Sequence, residues 1–144
     1  MPEVAPAPAL LASELKSSAM RLTRRLRNQR AGDEISHSQF TVLALVARRG
    51  PQNIGQLSAS EAVKPPSMNR TVNCLVDAGL VTRRVSPTDG RVVVVEATAE
   101  GAALVTETQQ LRNAWLAERL AELTPGQRTL LHEAAQLMGE IASR

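Results

Sequence analysis

Residues 54–101 read IGQLSASEAVKPPSMNRTVNCLVDAGLVTRRVSPTDGRVVVVEATAEG, and this stretch decides the fold. Met68, Val72, Leu75 and Val76 recur at the spacing of one buried helical face, while Ser67, Asn69, Arg70 and Asn73 fall off it. Gly79 follows where a helix end favours glycine. Pro65 and Pro66 suit a first helical turn, whose N–H groups have no partner within the helix. Residues 80–85 and 92–97 are rich in β-branched side chains, and the Asp89-Gly90 turn lies between them. Two short helices, then a hairpin with Arg91 near its tip, read as a winged helix-turn-helix, a shape that grips duplex DNA.

Outward from this stretch the chain is helical. Three prolines in residues 2–8 predict a flexible arm over residues 1–8. A first helix is expected over 8–30, its apolar stripe made of Leu11, Leu15, Ala19, Leu22 and Leu26. Its arginines lie mostly off that stripe, which suits a solvated face or one turned to DNA or a partner. Ala31-Gly32-Asp33 breaks it. Ser36 with Gln39 forms a capping box for a second helix bearing Phe40, Leu43, Ala44 and Val46, and Gly50-Pro51 ends that helix. Asn53 with Gln56 repeats the pattern before a short helix over 54–60, and Thr98 caps a long helix over 99–120. Thr124 and Gln127 form a third box, opening a last helix with Leu130, Ala134, Leu137, Met138 and Ile141.

The expected class is mainly α, with a small two- to three-stranded β wing. The first helix and the last two carry apolar stripes beyond what one small core needs. These stripes either pack on their own domain or form a subunit interface, and the second reading is favoured. The chain then divides into an arm (1–8), an N-terminal dimerisation helix (9–34), a DNA-binding lobe (35–98) and C-terminal dimerisation helices (99–144).

Composition narrows the function. The 144 residues hold one tryptophan, one phenylalanine and no tyrosine, so the core is aliphatic. Net charge is +3, and arginines cluster at 21–30 and again at Arg70, Arg83, Arg84 and Arg91. Cys74 stands alone, which fits a reducing compartment. Residues 1–12 lack the pattern of a signal peptide, and no apolar run reaches the roughly 20 residues that cross a bilayer. A cytoplasmic protein without membrane attachment is expected. No phosphate-binding glycine loop, nucleophile–base pair or metal-ligand spacing is present, which argues against an enzyme and against a cofactor or metal. His37 and His132 stand far apart in sequence, with no ligand cluster beside either.

Candidate DNA-binding residues follow from their places on the winged helix. Asn69, Arg70 and Asn73 lie within five residues, so one helix can present them to one groove. Asparagine can pair with an adenine edge and arginine with guanine, while Ser67 and Thr71 can reach phosphate or base. The plain alternative is an exposed polar helix face. Lys64 is placed to meet phosphate. Arg91 at a hairpin tip suits a narrow minor groove. Asp89 either orients the Arg91 guanidinium or is an ordinary turn acid. Arg83 and Arg84 read as phosphate contacts or ion pairs within the domain. Cys74, beside Leu75, is expected to pack, as are Phe40 and Trp115. A winged helix that serves protein–protein assembly without specific DNA binding is the competing reading.

These residues together resemble the MarR family of bacterial transcription regulators. The resemblance runs from the first helix to the last. Its most specific part is Asp77-Ala78-Gly79-Leu80-Val81, Arg83-Arg84, Pro87 and Asp89-Gly90-Arg91, followed by Thr98 and Gly101 as a T-x-x-G element. Gln39-Phe40 with Leu43, and Gly55-Gln56-Leu57, also match. The resemblance implies a homodimer with interlocked terminal helices, residues 65–78 in the major groove and the wing tip in the minor groove. It further implies repression at a palindromic operator and release by a small phenolic or anionic effector, though some members sense oxidants through cysteine, or a metal. Pro65-Pro66 departs from the small polar residues usual at the start of the recognition helix. Ala97 replaces the usual leucine before the threonine.

Overall fold

A computed structural model describes residues 4–144, so the first three residues of the expected arm lie outside it. In chain order the elements are α1 (Pro8–Arg27), α2 (His37–Arg49), β1 (Gln52–Asn53), α3 (Ile54–Glu61), α4 (Pro65–Asp77), β2 (Val81–Val85), β3 (Val93–Ala97), α5 (Ala99–Ala121) and α6 (Pro125–Ala142). All three expected capping boxes form, at Ser36/Gln39, Asn53/Gln56 and Thr124/Gln127, each with the backbone and side-chain bonds exchanged. An N-cap of this kind typically contributes about 1 kcal/mol to its helix.

α1 stops at Arg27, before the expected residue 30, because tertiary partners take over the backbone there. Ala31 N–H donates to Thr108 Oγ1 of α5 at 3.2 Å, and Arg30 Nη1 donates to the Ile35 carbonyl at 2.9 Å. Thr108 is fully buried, so this bond anchors the α1–α2 connection to α5.

The core sits between α2, α3, α4 and the sheet. Leu43, Val46, Leu57, Met68, Val72, Leu75, Val81 and Val95 are almost wholly buried. Met68, Val72 and Leu75 are three of the four apolar positions read from α4, and Val76 packs half-buried against the same cluster. Phe40 is buried as expected. Trp115 is not a core residue, contrary to expectation. It is half-buried on α5, with the Arg119 guanidinium 3.8 Å and that of Arg25 5.6 Å from its ring centre. The arginines of α1 and α5 flank the ring where an aliphatic core would have closed over it.

The sheet is antiparallel, in the order β1-β3-β2. Arg83 pairs with Val95 and Arg84 with Val94 across the wing, while Gln52 pairs with Val95 on the other side. β1 is only two residues long, below the reach of any periodicity, and it precedes the Asn53 cap directly.

The wing is latched to α5 by Thr98 and Gly101. Thr98 Oγ1 donates to the Gly79 carbonyl at 2.8 Å and accepts from Gly101 N–H at 3.0 Å, and Thr98 N–H donates to the Leu80 carbonyl at 3.0 Å. Gly79 has φ +73°, the left-handed conformation that lets α4 end and β2 begin within a few residues. No residue of α1 or α6 is buried. The apolar side chains of α6 face outward, as do several on α1.

Candidate nucleic-acid interface

α4 begins with two prolines after Lys64, which provides no side-chain cap. Its buried stripe turns Asn69, Arg70, Asn73 and Cys74 to solvent, with Ser67 and Thr71 half-buried beside them. Cys74 is thus exposed, which corrects the expectation that it packs. At about 100° per residue, position 74 lies well off the line joining Val72 and Leu75, although it adjoins Leu75 in sequence.

Local bonds order this face. Asn69 Nδ2 donates to the Pro65 carbonyl at 3.1 Å, and Arg70 Nη2 donates to Ser67 Oγ at 3.2 Å. Thr71 Oγ1 donates to the Ser67 carbonyl at 3.2 Å. Arg83, from β2, donates through Nη2 to Asn73 Oδ1 at 2.6 Å, joining the base of the wing to α4. Of the two roles open to Arg84, the ion pair forms: its Nε lies 3.0 Å from Glu96 Oε2 on the neighbouring strand. Both partners are partly exposed, so the pair contributes at most about 1 kcal/mol.

At the wing tip, Ser86 N–H donates to the Val92 carbonyl at 2.7 Å and Val92 N–H to the Asp89 carbonyl at 3.1 Å. Asp89 Oδ1 accepts from the backbone N–H of Arg91 at 3.0 Å, not from its guanidinium. Aspartate commonly reaches the backbone two residues on, and here that habit prevails over the ion pair expected from spacing. Arg91 remains exposed. Lys64, Arg70 and Arg91 therefore present charge outward from α4 and the wing, while Arg83 and Arg84 are engaged inside the lobe.

A second cationic feature was not singled out from the sequence. Arg27 at the end of α1 and His37 at the start of α2 line two clefts of about 290 and 340 Å³, and Arg112 on α5 lines the second. Arg112 lies over the Phe40 ring, 4.8 Å from its centre, and its Nε donates to the Gln29 carbonyl at 3.3 Å. Buried His37 Nδ1 and Arg112 Nη2 have no hydrogen-bond partner among the described residues. Burial, then repulsion from Arg27, Arg112 and Arg30, lowers the His37 pKa below 6.5, against a weaker opposing pull from Glu61. Burial, then Arg30 and Arg27, also lowers that of Arg112. No local motif marks this cluster, because three separate elements bring it together.

A stability consequence follows at His37. Its folded pKa lies below the unfolded one, so the unfolded chain takes up a proton first as pH falls. Stability is complete above about pH 6.5 and declines below it. Thermal melts at pH 5 and pH 8 should differ more for the native protein than for His37→Gln. Equal differences would contradict this linkage.

Among the described residues no group of three or more His, Cys, Asp or Glu side chains is placed to hold a metal ion. No described helix is long and apolar enough to cross a membrane.

The lobe and its relatives agree on kinship. Residues 35–93 match the model of the MarR family. An HTH-type transcriptional regulator of Mycobacterium tuberculosis is 43% identical over 130 residues, covering 90% of this chain and 91% of that protein. An HTH-type transcriptional repressor of the same organism is 29% identical over 101 residues, covering 70% of this chain and 73% of the relative. The fold matches that of a MarR family protein from Bacillus stearothermophilus with a TM-score of 0.81, at 21% identity, over 94% of this chain and 95% of that one. Near-full-length similarity, together with the family match across the winged lobe, means that this chain belongs to the MarR family of helix-turn-helix transcriptional regulators, which are DNA-binding proteins rather than enzymes.

Proposed function

We propose that the protein is a homodimeric, sequence-specific repressor that sets α4 in the major groove of duplex DNA and the wing tip in the adjacent minor groove. The observation that carries this reading is the outward face of α4, where Asn69, Arg70 and Asn73 stand exposed, together with the exposed Arg91 at the wing tip. Lys64, Ser67 and Thr71 border that face and supply phosphate contacts. Arg83 and Arg84 support it from inside the lobe, and Asp89 sets the turn that carries Arg91.

The outward apolar faces of α1 and α6 support a dimer built from residues 9–34 and 99–144, with residues 35–98 as the DNA-binding lobe. A two-fold dimer carries two recognition helices, so its operator is palindromic. The repressor named among the relatives favours repression over activation. A small anionic effector is the natural occupant of the cleft around Arg27, His37 and Arg112, where buried His37 Nδ1 and Arg112 Nη2 lack partners among the described residues. A bound carboxylate there would press on the joint between α1, α5 and the lobe and so alter the spacing of the two recognition helices. An assembly module without DNA binding is the weaker reading, since it leaves the basic tip and the polar face of α4 without a task.

Two substitutions test the docking. Arg70→Ala should cost about 1–3 kcal/mol of operator affinity if the side chain reads a base, together with discrimination at one position of each half-site. Arg91→Ala should weaken many sequences alike and lower the salt slope by about one counterion per wing. Gel shifts over a salt series, repeated with added benzoate to read effector release, provide the measurement. Unchanged affinity and salt slope in both variants would take α4 and the wing away from DNA.

A further inference from the structure

The bond between Arg83 and Asn73 joins two elements and fixes which end of the asparagine amide faces outward. Arg83 Nη2 lies 2.6 Å from the amide oxygen. A guanidinium has donors only, so the atom turned to it has to be Oδ1. Nδ2, with both of its hydrogens, is left to face away from the wing. The arrangement is held from below. Arg83 is central in β2, paired across from Val95, and its neighbour Arg84 is tied to Glu96. Asn69 carries the opposite polarity, because its Nδ2 is bound to the Pro65 carbonyl and its oxygen has no hydrogen-bond donor among the described residues.

We propose that Asn73 is a specificity-determining residue that acts as a hydrogen-bond donor to guanine, and that Arg83 is its positioning residue. The inference rests on the placement of α4 in the major groove. Pairing of asparagine with adenine uses the amide oxygen and nitrogen together, one accepting from N6 and the other donating to N7. Oδ1 keeps a second lone pair, but its charge-assisted bond to Arg83 holds the amide with the oxygen toward the wing, and that two-sided contact is weakened. Guanine offers O6 and N7, both acceptors, to the free NH2 group. Cytosine presents a donor to this donor, and thymine offers a single acceptor beside a methyl group. Asn73 thus favours guanine over the adenine that its residue type alone would suggest.

The test is selection of bound duplexes from a random library by the full-length protein and four variants. The native protein should show one position per half-site at which guanine is preferred by about 10-fold, the range of a single base-pair mismatch. Asn73→Ala should abolish that preference and leave the other positions intact. Arg83→Ala should free the amide and admit adenine at the same position, whereas Arg83→Lys, which restores a donor to Oδ1, should return the preference to guanine. Asn73→Asp keeps the partner of Arg83 but presents only acceptors, so it should disfavour guanine and admit cytosine. An Asn73-dependent position that selects adenine in the native protein would overturn the polarity while leaving the groove assignment standing. So would an unchanged selection in Arg83→Ala. A selection unaffected by Asn73→Ala removes Asn73 from readout altogether. Failure of the native protein to enrich any sequence would bring down the DNA-binding reading and this inference with it.

Discussion

Gly101→Ala should destabilise the fold by about 3 kcal/mol or more, at or above the upper end of the usual cost of overpacking. A Cβ built on Gly101 would run into the Leu80 carbonyl oxygen and lie 3.0 Å from Leu43 Cδ1. Side-chain rotation cannot relieve the first contact, because the Cβ position is fixed by the α5 backbone and the oxygen belongs to the Leu80 backbone. Leu80 is also held in place: its N–H donates to the Leu75 carbonyl, and its own carbonyl accepts from Thr98. The first turn of α5 would have to lift away from the wing, breaking the bond between Thr98 and Gly101. Thermal unfolding should fall by roughly 10 °C. Gly126→Ala is the control, since a Cβ there meets nothing within 4 Å. If the two variants melt alike, the close approach of α5 to Leu80 is not as described.

Replacing Leu130, Leu137 and Ile141 together with glutamate should turn the proposed dimer into a monomer and abolish operator binding. In the single chain these side chains are 65%, 58% and 62% exposed. A protein that worked as a monomer would therefore tolerate the change at little cost in stability. In a dimer each covered side chain is worth about 1.5–3 kcal/mol, and two-fold symmetry counts every substitution twice. Analytical ultracentrifugation of the triple variant at micromolar concentration should give a folded monomer with normal helix content. A variant that remains dimeric would remove α6 from the interface.

These two tests bear on features of very different legibility in the sequence. The T-x-x-G element at Thr98 and Gly101 was plain, as were the three capping boxes and the stripe of α4. Each is a local pattern, although Thr98 and Gly101 also meet Gly79 and Leu80 across the turn that precedes the wing. The apolar stripe of α6 was readable too, whereas its solvent-facing position emerges only from the packing of the whole chain. Features that depend on long-range contacts were hidden. α1 ends early because Arg30 and Ala31 find partners in the loop and on α5. Trp115 leaves the core because arginines from two helices flank it. Asp89 was placed correctly in the turn, but its bond goes to backbone, and spacing alone cannot separate that from an ion pair. The candidate interface was legible as a set of residues on one helix and one hairpin. What sequence could not supply was the division of labour among the arginines. Arg70 and Arg91 face outward, Arg83 holds Asn73, and Arg84 holds Glu96.

The proposed two-fold complex has the outward face of α4 and the wing together gripping duplex DNA. Footprinting combined with salt titration of the native protein on a selected genomic fragment tests it most directly. Two protected half-sites should appear on one face of the duplex, about 10 base pairs apart or a multiple of that. Lys64, Arg70 and Arg91, contributed by both lobes, should give a slope of log affinity against log salt of about −5. A single unsymmetric footprint, or a slope near zero, would rule that complex out.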